Sequence, residues 1–471
     1  MSPTRWFSIL CTLFLLALTV SPTFAAAITV DTLTDGLGVA GCSLREAIAN
    51  ANNDNAAQVG CGTGSGADVI TLNVSGTYTL TGGGIIVNSD ITINEGGGVA
   101  AVISGNNASR VFEIQLGGDL ALNGLVVQNG TVTDNSAGGC IQVESGGSLT
   151  FNSGTLQSCT TNNSGGAIGS TGAIHSVTVS GSTLQNNTSG INGGAISETG
   201  TASNLSVTGS TFSSNRAGTG TGGSFGGAIL YAGNDTGSFS VSSSTFTSNL
   251  AQSTTANGRG GAIHFTASNV ALTGTITGST FTSNQALVGD RLGGAIYKSG
   301  VGTLNVSSSV FTGNSADEGG AFYNAQGNLS VTSSRIQTNT ASTDGDAYYS
   351  VSGGTDSISA SCIVNNGDTA VIDTEVTNVL VANGSGNIAQ SNWWGSSWGP
   401  LITAAGGGSA VSNGDSIVGS GNAQVDVDLT NPGSLTSAPT GNWLTVAPTV
   451  AGATCMTCTG ASSIGHARFC S

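Results

Sequence analysis

The chain has 471 residues, of which 75 are glycine and only 7% are charged, and its net charge is −16. With 38% apolar residues, and with Val, Ile and Thr spread throughout, it can bury a core, which a disordered segment cannot do. The nine basic residues are scattered, so the sequence offers no basic surface for a phosphate backbone, and no nucleic-acid partner is expected.

The first predicted element is a signal peptide over residues 1–27. Arg5 precedes an apolar run that ends at Val20, and small residues suited to cleavage follow near Ala25 to Ala27. No later segment reaches the ~18 apolar residues that span a bilayer. We therefore expect a secreted or cell-surface protein with no transmembrane segment in the mature chain. In an oxidising compartment, its cysteines are expected to form disulfides.

Residues 28–100 are predicted to form an N-terminal cap and the first coils of a repeating fold. The apolar residues of "SLREAIANAN" fall on one face of a short helix suited to covering the end of a core: Leu44, Ala47, Ile48 and Ala51. The adjacent Arg45 and Glu46 are expected on its solvated face, and the alternative is a catalytic use. Cys42 and Cys61 are a candidate disulfide that would staple this cap.

Residues 101–400 contain an internal repeat marked by two short motifs. The first, Gly-Gly followed by small and apolar residues, begins at 138, 165, 193, 226, 260, 293 and 319, with a worn copy at 345. The second, an apolar residue followed by two small residues and Asn, comes 17–21 residues after each glycine pair. The distance from that Asn to the next glycine pair varies from 5 to 11 residues, so loops are expected on one side of each coil.

Short alternating runs between these motifs predict strands of three to five residues, and no helical spacing interrupts them. The pattern predicts an all-β fold, a right-handed parallel β-helix with a short N-terminal capping helix. Stacking would place the glycines at tight bends and close backbone approaches. It would also build an inner ring stack and an amide ladder at a turn, although the amides could alternatively form a ligand-binding row on the surface. The residues concerned are Phe212, Phe246, Phe281, Phe311, Asn215, Asn249, Asn284 and Asn314.

At these two motifs, residues 138–366 resemble the passenger domains of the chlamydial polymorphic outer-membrane proteins, which repeat GGA[ILV] and FxxN. Residues 42–52 are similar to the CSLREA region found ahead of many exported bacterial β-helix domains. The resemblance implies an adhesin-like role, with surface glycans or proteins of host or neighbouring cells as partners. The residues after Pro400 are too few for the membrane barrel of that family, so an autotransporter is not assumed.

The alternative function is a polysaccharide lyase or glycoside hydrolase, because the same fold carries such enzymes. Hydrolysis needs two carboxylates in one groove, and Asp344 and Asp346 are the best local pair, with Tyr348 or Arg335 as neighbours. The other interpretation is that "GDA" is a worn "GGA" in which Asp346 replaces the second glycine. A lyase would also need a basic residue as proton acceptor, and Lys298 is the single lysine of the sequence. We expect neither an enzyme nor a cofactor.

His175 and His264 follow the glycine motif without an acid or metal-ligand partner at a recognisable spacing, and they are expected to be surface or packing residues. Cys140 and Cys159 are the second candidate disulfide, because they would join a glycine-motif position to an Asn position within one coil.

The C-terminal end has two further candidate groups. "NWWGSSWGP" resembles a segment near the end of such helices, and its Trp393, Trp394 and Trp398 would cover the last coils or stack on sugars. Residues 401–471 are predicted to form a C-terminal cap and a cysteine-containing tail. Four residues of this tail match a zinc pattern or disulfides, and export favours disulfides: Cys455, Cys458, His466 and Cys470.

Overall fold

The computed structural model describes residues 25–351, apart from 99, 221, 235 and 254–256. It also describes residues 356–359, 361–364, 366, 371–373, 401–403, 416–419, 449–450 and 453–454. Within these residues the chain is a parallel β-helix, as predicted: successive coils add strands to four long sheets, named A to D, in which every pairing is parallel.

Each coil contributes one strand to sheet A and, directly after it along the chain, one strand to sheet B. The strands of sheet A are Ala27–Val30, Asp68–Leu72, Asp90–Glu95, Asp119–Asn123, Ser148–Asn152, Ser176–Ser180, Asn204–Thr208, Ser238–Ser242, Thr273–Thr277, Thr303–Ser307, Asn328–Thr332 and Ser357–Ser359. The strands of sheet B are Gly76–Thr79, Ala101–Ser104, Val126–Gln128, Thr155–Gln157, Thr183–Gln185, Thr211–Ser213, Thr245–Thr247, Thr280–Thr282, Val310–Thr312, Arg335–Gln337 and Cys362–Val364.

Sheet D follows sheet B along the chain, and sheet C follows the glycine motif. The strands of sheet D are Thr131–Val132, Thr160–Thr161, Thr188–Ser189, Arg216–Ala217, Leu250–Gln252, Gln285–Leu287, Ser315–Glu318 and Thr340–Asp344. The strands of sheet C are Ile85–Val87, Phe112–Ile114, Ile141–Val143, Ile168–Ser170, Ile196–Gly200, Ile229–Gly233, Ile263–Ala267, Ile296–Ser299, Phe322–Asn324, Tyr348–Ser350, Val371–Asp373, Ser416–Gly419 and Leu401–Thr403.

Two short pairings complete the strands of the described residues. Ser224–Phe225 pairs with Gly258–Arg259 in the loops between sheets D and C, where the sequence predicts variable lengths. Thr449–Val450 pairs with Ala453–Thr454 in antiparallel fashion.

The phenylalanines of the second motif form a continuous stack inside the rod. The ring centroids of Phe212 and Phe246 are 4.8 Å apart, those of Phe246 and Phe281 are 4.8 Å apart, and those of Phe281 and Phe311 are 4.6 Å apart. The rings are inclined to one another by only 9°, 3° and 5°. Each ring is fully buried, which stabilises the fold by ~1.5–3 kcal/mol per ring. Successive coils are therefore almost untwisted along this edge.

The asparagines of the same motif are buried and form a ladder of hydrogen bonds rather than a surface row. The Asn215 amide Nδ2 donates to Asn249 Oδ1 at 3.0 Å and to the Leu184 carbonyl at 2.9 Å. Asn249 Nδ2 donates in the same way to Asn284 Oδ1, at 2.9 Å. The ladder continues through Asn314, Asn339 and Asn366. Because these amides are used up inside the scaffold, they cannot bind a ligand.

The paired glycines serve backbone shape. The first of each pair, such as Gly165 with φ +74°, adopts a left-handed conformation that side chains disfavour. A Cβ on the second, such as Gly166, would collide with the carbonyl oxygen of Gly194 in the next coil. The following Ala167 is fully buried. The need for two glycines therefore comes from close coil-to-coil approach.

A capping helix occupies residues Leu44–Asn52 and packs on the first strands of sheets A and C, as predicted. The expectation for its charged residues is wrong, because Glu46 is fully buried. Its carboxylate accepts from the backbone N–H groups of Ser43 at 3.0 Å and Gly38 at 2.6 Å, and Ser43 Oγ accepts from Glu46 N in return. Arg45 pairs with Asp35 at 2.8 Å. Both charges therefore hold the cap together.

The N-terminal strand precedes this helix. Ala27–Val30 pairs with Asp68–Leu72 as the first strand of sheet A, with Ile28 and Val30 buried beneath the helix-capped end. The helix is thus an insertion between the first two strands of that sheet.

Both predicted disulfides are present. Cys42 bonds to Cys61 with a Cα–Cα distance of 4.7 Å, and Cys140 bonds to Cys159 with a Cα–Cα distance of 5.4 Å. Cys159 occupies the Asn-ladder position of its coil, because its backbone N–H donates to Asn187 Oδ1 at 3.0 Å. Each bridge closes a short loop, with the two cysteines 19 residues apart.

Replacing Cys140 and Cys159 together by alanine is expected to lower the free energy of unfolding by about 3 kcal/mol, because the loop they close is freed in the unfolded chain. Urea denaturation of the oxidised proteins measures the change. A double variant with the midpoint of the unsubstituted protein would contradict this expectation.

Candidate functional site

An uncharged polar face extends over sheets A and B. It comprises the outward side chains of seven sheet A strands, from Ser148–Asn152 to Asn328–Thr332, and six sheet B strands, from Thr155–Gln157 to Val310–Thr312. We call it the hydroxyl face, because Ser and Thr dominate and none of its residues is charged. Alternation along each strand turns these side chains outward and the apolar ones inward.

On sheet A, neighbouring side chains of the hydroxyl face bond to one another. Thr208 Oγ1 lies 3.1 Å from Ser242 Oγ, and Thr277 Oγ1 lies 3.1 Å from Ser307 Oγ. On sheet B, the outward threonines form two columns, one before and one after the phenylalanine position, with the same coil-to-coil spacing as the phenylalanine stack. The hydroxyls of these threonines make no hydrogen bond with described residues: Thr183, Thr211, Thr245, Thr247, Thr280, Thr282 and Thr312. Hydroxyls on sheet B are therefore available to a ligand.

The candidate catalytic residues Asp344 and Asp346 lie in the chain between sheets D and C. Asp344 ends the last sheet D strand, in register with Glu318. Asp346 is buried, follows Gly345 with its φ of +69°, and accepts a 2.6 Å hydrogen bond from the Ala341 backbone N–H. Arg335 lies on sheet B instead, where its Nε donates to Gln337. The expected grouping of Arg335 with these acids is therefore wrong.

The expectation that His175 lacks an acidic partner is also wrong. His175 is buried, and its Nε2 lies 2.5 Å from Glu198 Oε1, on the next coil. Ser170 Oγ donates to the other carboxylate oxygen. Burial raises the pKa of Glu198, and the group is sealed inside the rod. It resembles an acid–base set in composition, but a polymeric substrate cannot reach it.

His264 is a packing residue, as expected. Its ring lies edge-on to Phe225 and Tyr297, with centroids 4.9 and 4.7 Å away, and its Nε2 is 3.0 Å from Ser299 Oγ. Burial lowers the pKa of His264 to about 3, so the imidazole is neutral at physiological pH.

A cavity of about 390 Å³ opens beside the segments that follow three sheet C strands, Phe112–Ile114, Ile141–Val143 and Ile168–Ser170. Its lining contains a single carboxylate, that of Glu144, beside Leu116, Ser145, Thr171 and Gly172. The pair of acids that glycoside hydrolysis uses is therefore missing from this lining.

Metal-binding clusters and membrane-spanning helices were sought in the described part of the chain. There, no group of three or more His, Cys, Asp and Glu side chains is placed to hold a metal ion, and no helix is long and apolar enough to cross a membrane. The predicted tail ligands and the tryptophans lie outside the described residues: Cys455, Cys458, His466, Cys470, Trp393, Trp394 and Trp398.

Comparison of the whole chain with known protein families, with curated proteins and with solved structures finds no match.

Proposed function

We propose that the protein is an exported, adhesin-like rod that binds neutral surface glycans through the hydroxyl face. The supporting observation is that the face has no charge, and that its sheet B threonines present hydroxyls at a fixed spacing over many coils without a hydrogen bond to the described residues. Regular donors and acceptors on a rigid surface suit an extended ligand that is itself rich in hydroxyls. A charged ligand would find no complementary group on it.

The proposal treats the protein as a binder without a catalytic site. Lys298 lies inside the rod, and the buried Asp346 carboxylate accepts a hydrogen bond from the Ala341 backbone N–H. Neither residue is therefore placed to act on a polysaccharide bound at the surface. Contacts spread over many coils would provide avidity where single contacts are weak.

Replacing Thr247 by lysine, in the middle of sheet B, is expected to weaken glycan binding about tenfold, because it removes a hydroxyl and adds a bulky charge. Binding of the full secreted chain to an array of neutral glycans measures this. Thr266→Lys is the matched control, because Thr266 is a similarly half-buried threonine on sheet C.

An equal loss in both variants, or no glycan binding by the unsubstituted protein, would refute the proposal. Release of soluble products from a polysaccharide, abolished by Asp346→Asn, would favour the enzyme instead.

A further inference from the structure

The single lysine of the chain points into the rod. Lys298 lies on the sheet C strand Ile296–Ser299 and is fully buried. Its Nζ donates to the carbonyl oxygens of Gly300, at 2.6 Å, and Gln326. No carboxylate among the described side chains forms an ion pair with it. Burying an ammonium without a paired anion is costly, and burial lowers the pKa of Lys298 to about 8. A pKa of about 8 leaves a fraction of the amine neutral, and so nucleophilic, near physiological pH.

A buried carboxamide occupies the equivalent position on the next coil. Asn324 is the register partner of Lys298, and such partners in a parallel sheet lie ~4.8 Å apart with side chains on the same face. Gly327 links the two groups: a Cβ there would strike Lys298 Nζ, and its carbonyl accepts from Asn324 Nδ2 at 3.0 Å. The amine and the amide therefore lie side by side.

This asparagine differs from the ladder asparagines. Each ladder amide such as Asn249 is satisfied at both its oxygen and its nitrogen. Asn324 Oδ1, although buried, accepts no hydrogen bond from the described residues. An orphaned buried acceptor costs about 1–3 kcal/mol, so scaffolding alone does not account for Asn324.

The carboxylate of Asp356 contacts the amide nitrogen of Asn324. Asp356 Oδ1 and Oδ2 accept from Asn324 Nδ2 at 2.8 and 2.9 Å. Its orientation is set by Tyr348 OH, Ser350 Oγ and the Leu329 N–H, at 2.5, 2.7 and 2.8 Å. The negative charge of Asp356 also acts on Lys298. The amine and the carboxamide are thus fully buried, and the half-buried proton carrier contacts the amide.

We infer that Lys298 and Asn324 join in an intramolecular isopeptide bond, with Asp356 as the proton carrier. The Nζ lone pair attacks Asn324 Cγ, forming the C–N bond, and Nζ passes a proton to the Asp356 carboxylate. The tetrahedral intermediate collapses as the Cγ–Nδ2 bond breaks, and Asp356 returns the proton to the departing nitrogen, which leaves as ammonia. A primary amine and a carboxamide become a secondary amide and ammonia, with no change of oxidation state.

The bond would tie two neighbouring coils together and remove a buried cation that forms no ion pair with the described carboxylates. This consequence is independent of what the hydroxyl face binds, because the site is interior and the reaction needs no ligand.

Two readouts on the purified full chain test the inference. The intact mass, after allowing for processing and disulfides, is expected to be lower than the sequence mass by one ammonia. Because Lys298 is the only lysine, an amine-reactive label applied to the reduced, unfolded protein is expected to modify the α-amino group alone. Peptide mapping should recover the Lys298 and Asn324 peptides as one cross-linked species.

Cyclisation of an asparagine elsewhere also releases ammonia, but it leaves the lysine free to take the label, so the second readout separates the two reactions. Lys298→Met and Asp356→Asn are expected to retain the ammonia, and in Asp356→Asn the lysine takes the label. Asn305→Ala, on the exposed face of sheet A, is the control that should keep the bond.

Full sequence mass with a labelled lysine in the unsubstituted protein would overturn the inference, and this measurement depends on no variant folding. An unchanged cross-link in Asp356→Asn would overturn the role given to Asp356.

Discussion

Replacing Asn249 by alanine is expected to lower the free energy of unfolding by about 4 kcal/mol, among the larger effects of a single substitution. Asn249 Oδ1 accepts from the backbone N–H of Asn215 at 3.1 Å and from its amide at 3.0 Å. Asn249 Nδ2 donates to the Phe212 carbonyl at 3.0 Å. Alanine leaves these groups unpaired in the interior, and each orphan costs about 1–3 kcal/mol.

The matched control for this substitution is Asn152→Ala. Asn152 also belongs to an amide row, donating to Asn123 Oδ1 at 3.0 Å, but it is half-buried on the outer face of sheet A. Water can replace that bond, so a loss below about 1 kcal/mol is expected. Urea unfolding of both variants gives the comparison, and equal losses would show that burial of the ladder contributes nothing.

Phe246→Ala is the second large effect, with an expected loss of about 4 kcal/mol. The Phe246 ring is fully buried between Phe212 and Phe281, 4.8 Å from each, so alanine removes its burial and leaves a cavity between two rings. Backbone pairing on both sides keeps the coils at their spacing, which limits how far the cavity can collapse.

Phe246→Leu is the control, because the same position holds Leu156 and Leu184 in two earlier coils. The interior therefore accepts leucine there, and a loss below about 1.5 kcal/mol is expected. Denaturant midpoints measure both variants. A leucine variant as unstable as the alanine variant would mean that ring stacking, rather than filled volume, stabilises the interior.

These scaffold interactions and the proposed binding surface use different positions of the same coil. The repeated phenylalanine, asparagine and glycine residues pack in the interior or form the turns, as Phe246, Asn249 and Gly260 illustrate. The side chains of outward positions such as Thr245 and Thr247 make no hydrogen bond with the described residues. A change of ligand could therefore arise by surface substitution without loss of the fold.

The repeat alone was sufficient to predict the architecture. A parallel β-helix converts a period along the chain into contact in space, so a phenylalanine or asparagine that recurs at a near-constant distance must stack on its equivalent. The two disulfides followed from the same logic, because both cysteines of each pair fall within a single coil or cap. The period also located the loops, since length changes are tolerated only outside the stacked strands.

What remained hidden were contacts between residues that occur once. Glu46 looked solvated, but Gly38 and Ser43 bring backbone donors around it when the cap folds. His175 and Glu198 are joined only because their coils are adjacent.

Tertiary structure likewise decided the chemistry of the interior. Lys298, Asn324 and Asp356 belong to three successive passes of the chain, and no local pattern connects them. Strand register brings the first two together, and Asp356, directly before the sheet A strand Ser357–Ser359, completes the site. The partner of a periodic residue can be predicted from the sequence, because it is the equivalent residue of the next coil. The partner, the burial and the pKa of a polar residue that occurs once depend on how the coils stack.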